Sequence, residues 1–117
     1  MYYIGFDLGS SSVKAALIDS GTGKTVGVAS YPEQEMKIIA KQQGWAEQEP
    51  DLWWENCCKV TQKLLAKTGV SSQNIKGIGI AYQMHGMVII DKNQQILRPA
   101  IIWCDSRAVG IGNDTFK

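Results

Sequence analysis

The sequence predicts an α/β fold: a mixed sheet that opens as an antiparallel three-strand meander and gains a further, parallel strand through a crossover helix. Three observations predict it. Alternating apolar runs joined by short turns rich in Gly and Ser fill residues 2 to 31, a long amphipathic segment follows near the middle, and an Ile-rich run begins at Ile75. A helix between two strands gives the chain the length it needs to return parallel to the strand it left.

Tyr2, Ile4, Phe6 and Leu8 alternate with Tyr3, Gly5 and Asp7, the period of two expected of a strand that packs more heavily on one face. The small-residue turn from Gly9 to Ser12 leads into a second run, Val13 to Ile18, and the Asp19 to Lys24 turn joins it to a third, Thr25 to Tyr31. From Pro32 to Glu49 the chain is rich in Gln, Glu and Lys with little periodicity, which predicts irregular structure with one short helical turn around Met36 to Lys41. Glu49-Pro50-Asp51 reads as a helix start, because proline suits the first helical position and acidic side chains suit the positive end of the helix dipole. Trp53, Cys57, Val60 and Leu64 then form one apolar stripe, with Trp53 as core, and Lys63, Lys67 and Gly69 supply the chemistry of a C-terminus. Ile75 to Tyr82 predicts a fourth strand, where Gly77 and Gly79 suggest close approach of another backbone or helix. Gly86 to Ile90 predicts a fifth. A turn at Asp91 to Gln94 returns the chain through Ile96 and Leu97 towards Ile101 to Trp103.

At 117 residues, with 44% apolar and 20% charged side chains, the chain is the size of one globular domain, with no repeat or low-complexity tract. Twelve basic and eleven acidic residues give a net charge of +1, so no field of one sign is present to hold a nucleic acid backbone or an anionic membrane. No stretch approaches the roughly 20 apolar residues that span a bilayer, and no basic region precedes an apolar run at the N-terminus, so a cytoplasmic location is expected. Cys57, Cys58 and Cys104 match neither a disulfide framework nor zinc-ligand spacing and read as buried thiols in a reducing compartment.

Three short stretches carry chemistry. Asp7-Leu8-Gly9-Ser10-Ser11-Ser12-Val13-Lys14 lies where the first strand turns into the second. There a glycine permits a tight turn, amides and the hydroxyls of Ser10, Ser11 and Ser12 suit phosphate oxygens, Lys14 offers a cation, and Asp7 suits Mg2+ held through water. The same residues also fit an ordinary serine-rich turn. Gly21-Thr22-Gly23-Lys24-Thr25 has the tail of a Walker A motif but carries Ile18 where the leading glycine belongs, so it reads as a hairpin turn. Gly77-Ile78-Gly79 fails as a dinucleotide fingerprint because Tyr82 occupies the third glycine position. Gln83-Met84-His85-Gly86 follows a strand and contains the sole histidine. Its donors and acceptors suit a polyhydroxylated ligand and Met84 suits a carbon skeleton, although a lone histidine is also a common structural residue. In Trp103-Cys104-Asp105-Ser106-Arg107 the indole suits a sugar ring face, while Asp105 and Arg107 fit either hydroxyl recognition or a local ion pair. Trp45 fits either a pocket lid or packing on the sheet.

Taken in order, these stretches resemble the FGGY family of carbohydrate kinases. Asp7 to Ser12 with Lys14 resembles the family's first phosphate motif, and Gly44-Trp45-Ala46-Glu47-Gln48-Glu49-Pro50 with Trp53-Trp54 its signature before the helix. Gln83 to Gly86 resembles the sugar loop of the xylulokinase branch, and Arg98 to Arg107 the segment that follows. The glycerol kinase branch typically has Arg-Glu where this chain has Met84-His85, so the loop points away from glycerol. The resemblance implies a ribonuclease H-like half-domain of the actin, Hsp70 and sugar kinase superfamily. It also implies ATP and Mg2+ as cofactors and transfer of the γ-phosphate to D-xylulose. Asp7 would organise Mg2+, Gly9, Ser10, Ser11, Ser12 and Lys14 would meet the ATP phosphates, and Gln83, Met84, His85, Trp103 and Asp105 would meet the sugar. Residues 1–117 would be the N-terminal part of the first kinase domain, with the general base beyond residue 117 and the fragment inactive by itself, its unfinished sheet leaving an aggregation-prone edge. Partners would be small molecules, with neither nucleic acid nor membrane, and the resemblance admits a homodimer of the full-length enzyme. A kinase for another ketose or polyol, and a non-catalytic sugar or nucleotide module of the same fold, remain alternatives.

Overall fold

A computed structural model describes residues 1–116, which form two compact units: Met1–Met36 with Asp51–Gln83, and Lys37–Pro50 with residues 84–116. In chain order the elements are β1 (Tyr2–Leu8), β2 (Val13–Asp19), β3 (Thr25–Tyr31), β4 (Glu47–Gln48), α1 (Pro50–Thr68), a 3-10 turn (Ser72–Asn74), β5 (Ile75–Tyr82), β6 (Ala100–Ile101) and α2 (Val109–Thr115).

The first unit holds a four-stranded mixed sheet in the order β3-β2-β1-β5. β1 runs antiparallel to β2 with Leu8 opposite Val13, β2 antiparallel to β3 with Val13 opposite Tyr31, and β5 parallel to β1 with Leu8 opposite Tyr82. The meander and the crossover helix expected from the sequence are therefore present. Their cause is the alternation itself: Ile4, Val13, Ala15 and Leu17 share one face of the sheet and are buried against Val60 and Leu64 of α1. Each fully buried aliphatic side chain contributes about 2 kcal/mol. α1 ends at Gly69, whose φ of +70° suits glycine at the C′ position and whose amide donates to the Leu65 carbonyl at 2.9 Å. Asp19 accepts the Gly21 and Thr22 amides with Oδ1, so the Walker-like stretch is a hairpin turn.

Four expectations are corrected in this unit and its flanks. Trp53 is only half-buried; Asn56 takes the enclosed place on the helix, its Nδ2 donating to Met36 Sδ at 3.0 Å. No helical turn forms at Met36 to Lys41, because the Met36 amide donates to the Ser11 carbonyl and Ile39 pairs with Glu47 in extended geometry. These tertiary backbone partners win over weak local propensity. Gly77 is approached by the Tyr3 ring rather than by a backbone or helix, and Gly79 faces open space. Cys58 and Cys104 are exposed and only Cys57 is partly buried, which raises its thiol pKa; all three are free.

In the second unit β4 and β6 pair antiparallel, Glu47 opposite Ile101. Ile39 bridges to Glu47 and Met87 bridges to Ile101, so four chain segments lie side by side in the order Ile39, Glu47, Ile101, Met87. Ala46, Glu47, Gln48, Ala100 and Ile102 are buried around this ribbon. The expected strand Gly86 to Ile90 is reduced to single bridges at Met87 and Ile90. Residues 87–90 are exposed, and the Asp91 carboxylate accepts the Asn93 and Gln95 amides, so a local turn replaces a full ladder. Among the described residues no helix is long and apolar enough to cross a membrane.

Candidate functional site

The glycine-serine turn between β1 and β2 belongs to the first unit. β1 ends at Leu8 and β2 starts at Val13, so Gly9 to Ser12 reverse the chain, with the Gly9 amide donating to the Ser12 carbonyl at 3.1 Å. A Cβ on Gly9 would lie 3.1 Å from that same oxygen, which is why a glycine fits there. The Met36 amide, donating to the Ser11 carbonyl at 2.8 Å, ties the turn to the rest of the unit. Cross-strand register sets Asp7 opposite Lys14 and Lys14 opposite Ser30, on the face turned away from α1. Both charged groups are exposed, and with Gly5 and Ala16 they help line an open depression of about 550 Å³. No cluster of three His, Cys, Asp or Glu side chains occurs among the described residues, so Asp7 offers a single carboxylate rather than a ligand cage. Gln83 follows β5, its amide donating to the Leu8 carbonyl at 3.0 Å. Its side-chain Oε1 is buried and accepts no hydrogen bond among the described residues.

Met84 and His85 belong to the second unit and form an exposed turn, with His85 in the left-handed region at φ 60°. The loop leaves through Met87, which exchanges both backbone hydrogen bonds with Ile101 at 2.8 and 3.1 Å. Trp103, 56% exposed, lies two residues beyond Ile101 in the turn that follows β6.

Asp105 and Arg107 form the ion pair that was one of their two sequence readings. Arg107 donates from Nε to Asp105 Oδ1 at 2.9 Å and from Nη2 to Oδ2 at 2.7 Å, and the Ala46 amide donates to Oδ2 at 2.6 Å. The same Nη2 reaches Glu47 Oε1 at 2.8 Å, and Arg98 Nη2 donates to that Glu47 oxygen as well. The Arg107 guanidinium lies 3.9 Å from the Trp45 ring centroid, so Trp45 stacks on a cation. The Arg107 hydrogen bonds hold both the Asp105 and the Glu47 carboxyls below the usual carboxylate range, against burial, which pushes the other way. Sequence reasoning missed Glu47, Arg98 and Trp45 as members of this cluster. The available signal was a charged residue inside a tryptophan-containing motif that no helix period explained.

The structure thus gathers Asp7, Gly9, Ser10, Ser11, Ser12, Lys14 and Gln83 in the first unit, and Met84, His85, Trp103 and Asp105 in the second. The model for the FGGY family of carbohydrate kinases, N-terminal domain, matches residues 2–115. The chain belongs to that family. It is 43% identical over 105 residues to the xylulose kinase of Klebsiella pneumoniae, covering 90% of this chain and 20% of that protein. It is 39% identical over 110 residues to the L-xylulose/3-keto-L-gulonate kinase of Escherichia coli, covering 94% and 21%. The solved xylulose kinase of Rhodospirillum rubrum superposes with a TM-score of 0.86 at 28% identity over 99% of this chain and 23% of that one. The corresponding kinase of Brucella ovis gives 0.85 at 36% identity, over 99% and 24%. The fold is the ribonuclease H-like α/β fold of these sugar kinases, and the chain spans about a fifth of the length of the curated relatives it matches.

Proposed function

We propose that the chain is part of a kinase that transfers the γ-phosphate of ATP to the 5-hydroxyl of D-xylulose, giving D-xylulose 5-phosphate. The observation that carries this reading is the exposed Met84-His85 turn, set in a chain whose relatives include named xylulose kinases. In this reading Gln83, Met84, His85 and Trp103 meet the sugar. The carboxamide oxygen of Gln83 supplies an acceptor with no partner among the described residues. Asp105 meets the sugar only with oxygens it shares with Arg107 and the Ala46 amide.

Gly9, Ser10, Ser11, Ser12 and Lys14 meet the ATP phosphates through amides, hydroxyls and an ammonium group, and Asp7 faces Mg2+ through water. These donors fit: an exposed carboxylate and an exposed ammonium lie opposite each other beside a tight turn. Bound Mg2+ would neutralise phosphate charge, and this chain's own residues position and screen rather than react. None of them is assigned as general base. Location in the cytoplasm and a role in xylose metabolism belong to the same proposal.

The test is ADP release by the protein expressed to its natural C-terminus, with D-xylulose, L-xylulose, L-ribulose, L-fuculose, glycerol and gluconate as acceptors. D-xylulose is expected to be preferred, and His85→Ala to lower kcat/KM for it by about a hundredfold, as loss of a positioned polar contact does. Preference for L-xylulose would favour a second reading, a kinase for another ketose, which the Escherichia coli relative supports. ATP binding without turnover of any acceptor would overturn both.

A further inference from the structure

The motif Gly44-Trp45-Ala46-Glu47-Gln48 takes no part in the proposed chemistry, yet Ala46, Glu47 and Gln48 are all buried. We propose that it is a socket that positions the Trp103–Arg107 turn and, through Ile101, the Met84-His85 loop, with Glu47 and Arg107 as positioning residues for sugar affinity. The proposal rests on the reading that these two loops meet the sugar.

Ala46 clamps the turn at both ends. Its carbonyl accepts the Ile102 amide at 3.0 Å and its amide donates to Asp105 Oδ2 at 2.6 Å, so Trp103 and Cys104 form a span fastened on either side to one residue. Gly44 supplies the foot of the socket. Its carbonyl accepts the Ser106 amide at 2.8 Å and the Ser106 hydroxyl at 3.1 Å, and a Cβ there would lie 2.6 Å from Ser106 Oγ at a φ of +81°. Only glycine fits both the conformation and the space.

The charges close the arrangement. Glu47 and Asp105 have side chains 3% exposed, and Arg98 and Arg107 balance them, so each carboxylate keeps its charge only while its partners stay in place. Arg107 does three things at once: it grips Asp105 with two nitrogens, reaches Glu47, and lays its face on Trp45. A lysine ammonium has neither the fork nor the flat face. β6 is two residues long, too short to hold register by itself. Its Ile101 lies between Glu47 and Met87, so whatever fixes Glu47 fixes the strand to which the sugar loop is fastened.

The experiment uses the protein expressed to its natural C-terminus, with Arg107→Lys and Glu47→Gln compared in amide hydrogen exchange and in steady-state kinetics. Exchange at Met87, Ile102 and Asp105 is expected to quicken about tenfold or more while Ile4 in β1 keeps its protection, and KM for D-xylulose to rise about tenfold with KM for ATP changed less than about twofold. Unchanged exchange overturns the socket, as does faster exchange with an unchanged sugar KM, or a parallel rise in both KM values. If Glu47→Gln loses protection at Ile4 as well, it has unfolded, and Arg107→Lys decides the question. If the unaltered protein phosphorylates no ketose, the kinase reading falls, and the exchange measurements alone support or overturn the socket.

Discussion

At Gly27 α1 packs closely on β3: a Cβ there would lie 2.5 Å from the Thr68 methyl carbon and 3.3 Å from Leu64 Cδ1. Thr68 is pinned, since its hydroxyl donates to the Leu64 carbonyl at 2.9 Å, so the added atom has no flexible neighbour to displace. Gly27→Ala is therefore expected to cost about 1–3 kcal/mol, the usual range for overpacking, read as a lower urea midpoint with an unchanged slope. At this scale the sequence was informative where a residue acts locally. The hairpin turn from Asp19 to Lys24, Gly69 as a helix stop and Pro50 as a helix start all rest on neighbours within a few positions. It did not reveal the pairing of Glu47, whose partners Arg98 and Arg107 lie 51 and 60 residues away. Nothing in local spacing pairs charges over such distances. Asn56 was missed for a related reason, because a polar side chain on an apolar stripe is read as outward until Met36 is seen to receive it.

Among the elements, those with a strong period were legible: β1, β3, β5 and α1 appear with the limits the alternation and the helix signals indicate. Weakly patterned stretches were not, since Met36 to Lys41 and Gly86 to Ile90 take their shape from distant backbone partners at Ser11, Glu47 and Ile101. α2 went unseen because its Val109–Thr115 span contains two glycines and no periodic stripe. The turn after β6 has a pH dependence that follows from its ion cluster. The Glu47 and Asp105 carboxyls titrate lower in the folded chain than in the unfolded one, so their contribution is fully present above the ordinary carboxylate range, near pH 4. It is lost as acid protonates them in the folded state, below that range. Lowering the pH from 7 should leave exchange at the Asp105 amide unchanged down to about pH 4, after correction for intrinsic rates, and then quicken it. Protection that is flat down to pH 2 would show the cluster to be inert.

Over the whole molecule the two borders of the main sheet differ. On β3, Lys63 Nζ donates to the Ser30 carbonyl at 3.4 Å and Lys67 Nζ to the Val28 carbonyl at 3.2 Å, so ammonium groups guard that strand. On β5, Ile78, Ile80 and Tyr82 are 67%, 64% and 77% exposed, in register with Ile4, Phe6 and Leu8. The 117-residue chain is expected to self-associate through β5, and Ile80→Lys to reduce that association in sedimentation velocity while leaving the unfolding free energy from urea titration within about 0.5 kcal/mol, as exposed substitutions do. Equal association of both proteins would place the contact elsewhere. The second unit is discontinuous, with residues 37–50 and 84–116 separated by a stretch that belongs to the first. During synthesis Glu47 is added 51 residues before Arg98 and 60 before Arg107. Joining such distant segments is easier once the intervening chain has condensed and the free loop is shorter. The two halves of the ribbon are therefore born apart: residues 37–50 wait without their pairing partners until residues 84–116 have been made, and a ribosome stalled before Arg98 would carry Glu47 with neither of its cations.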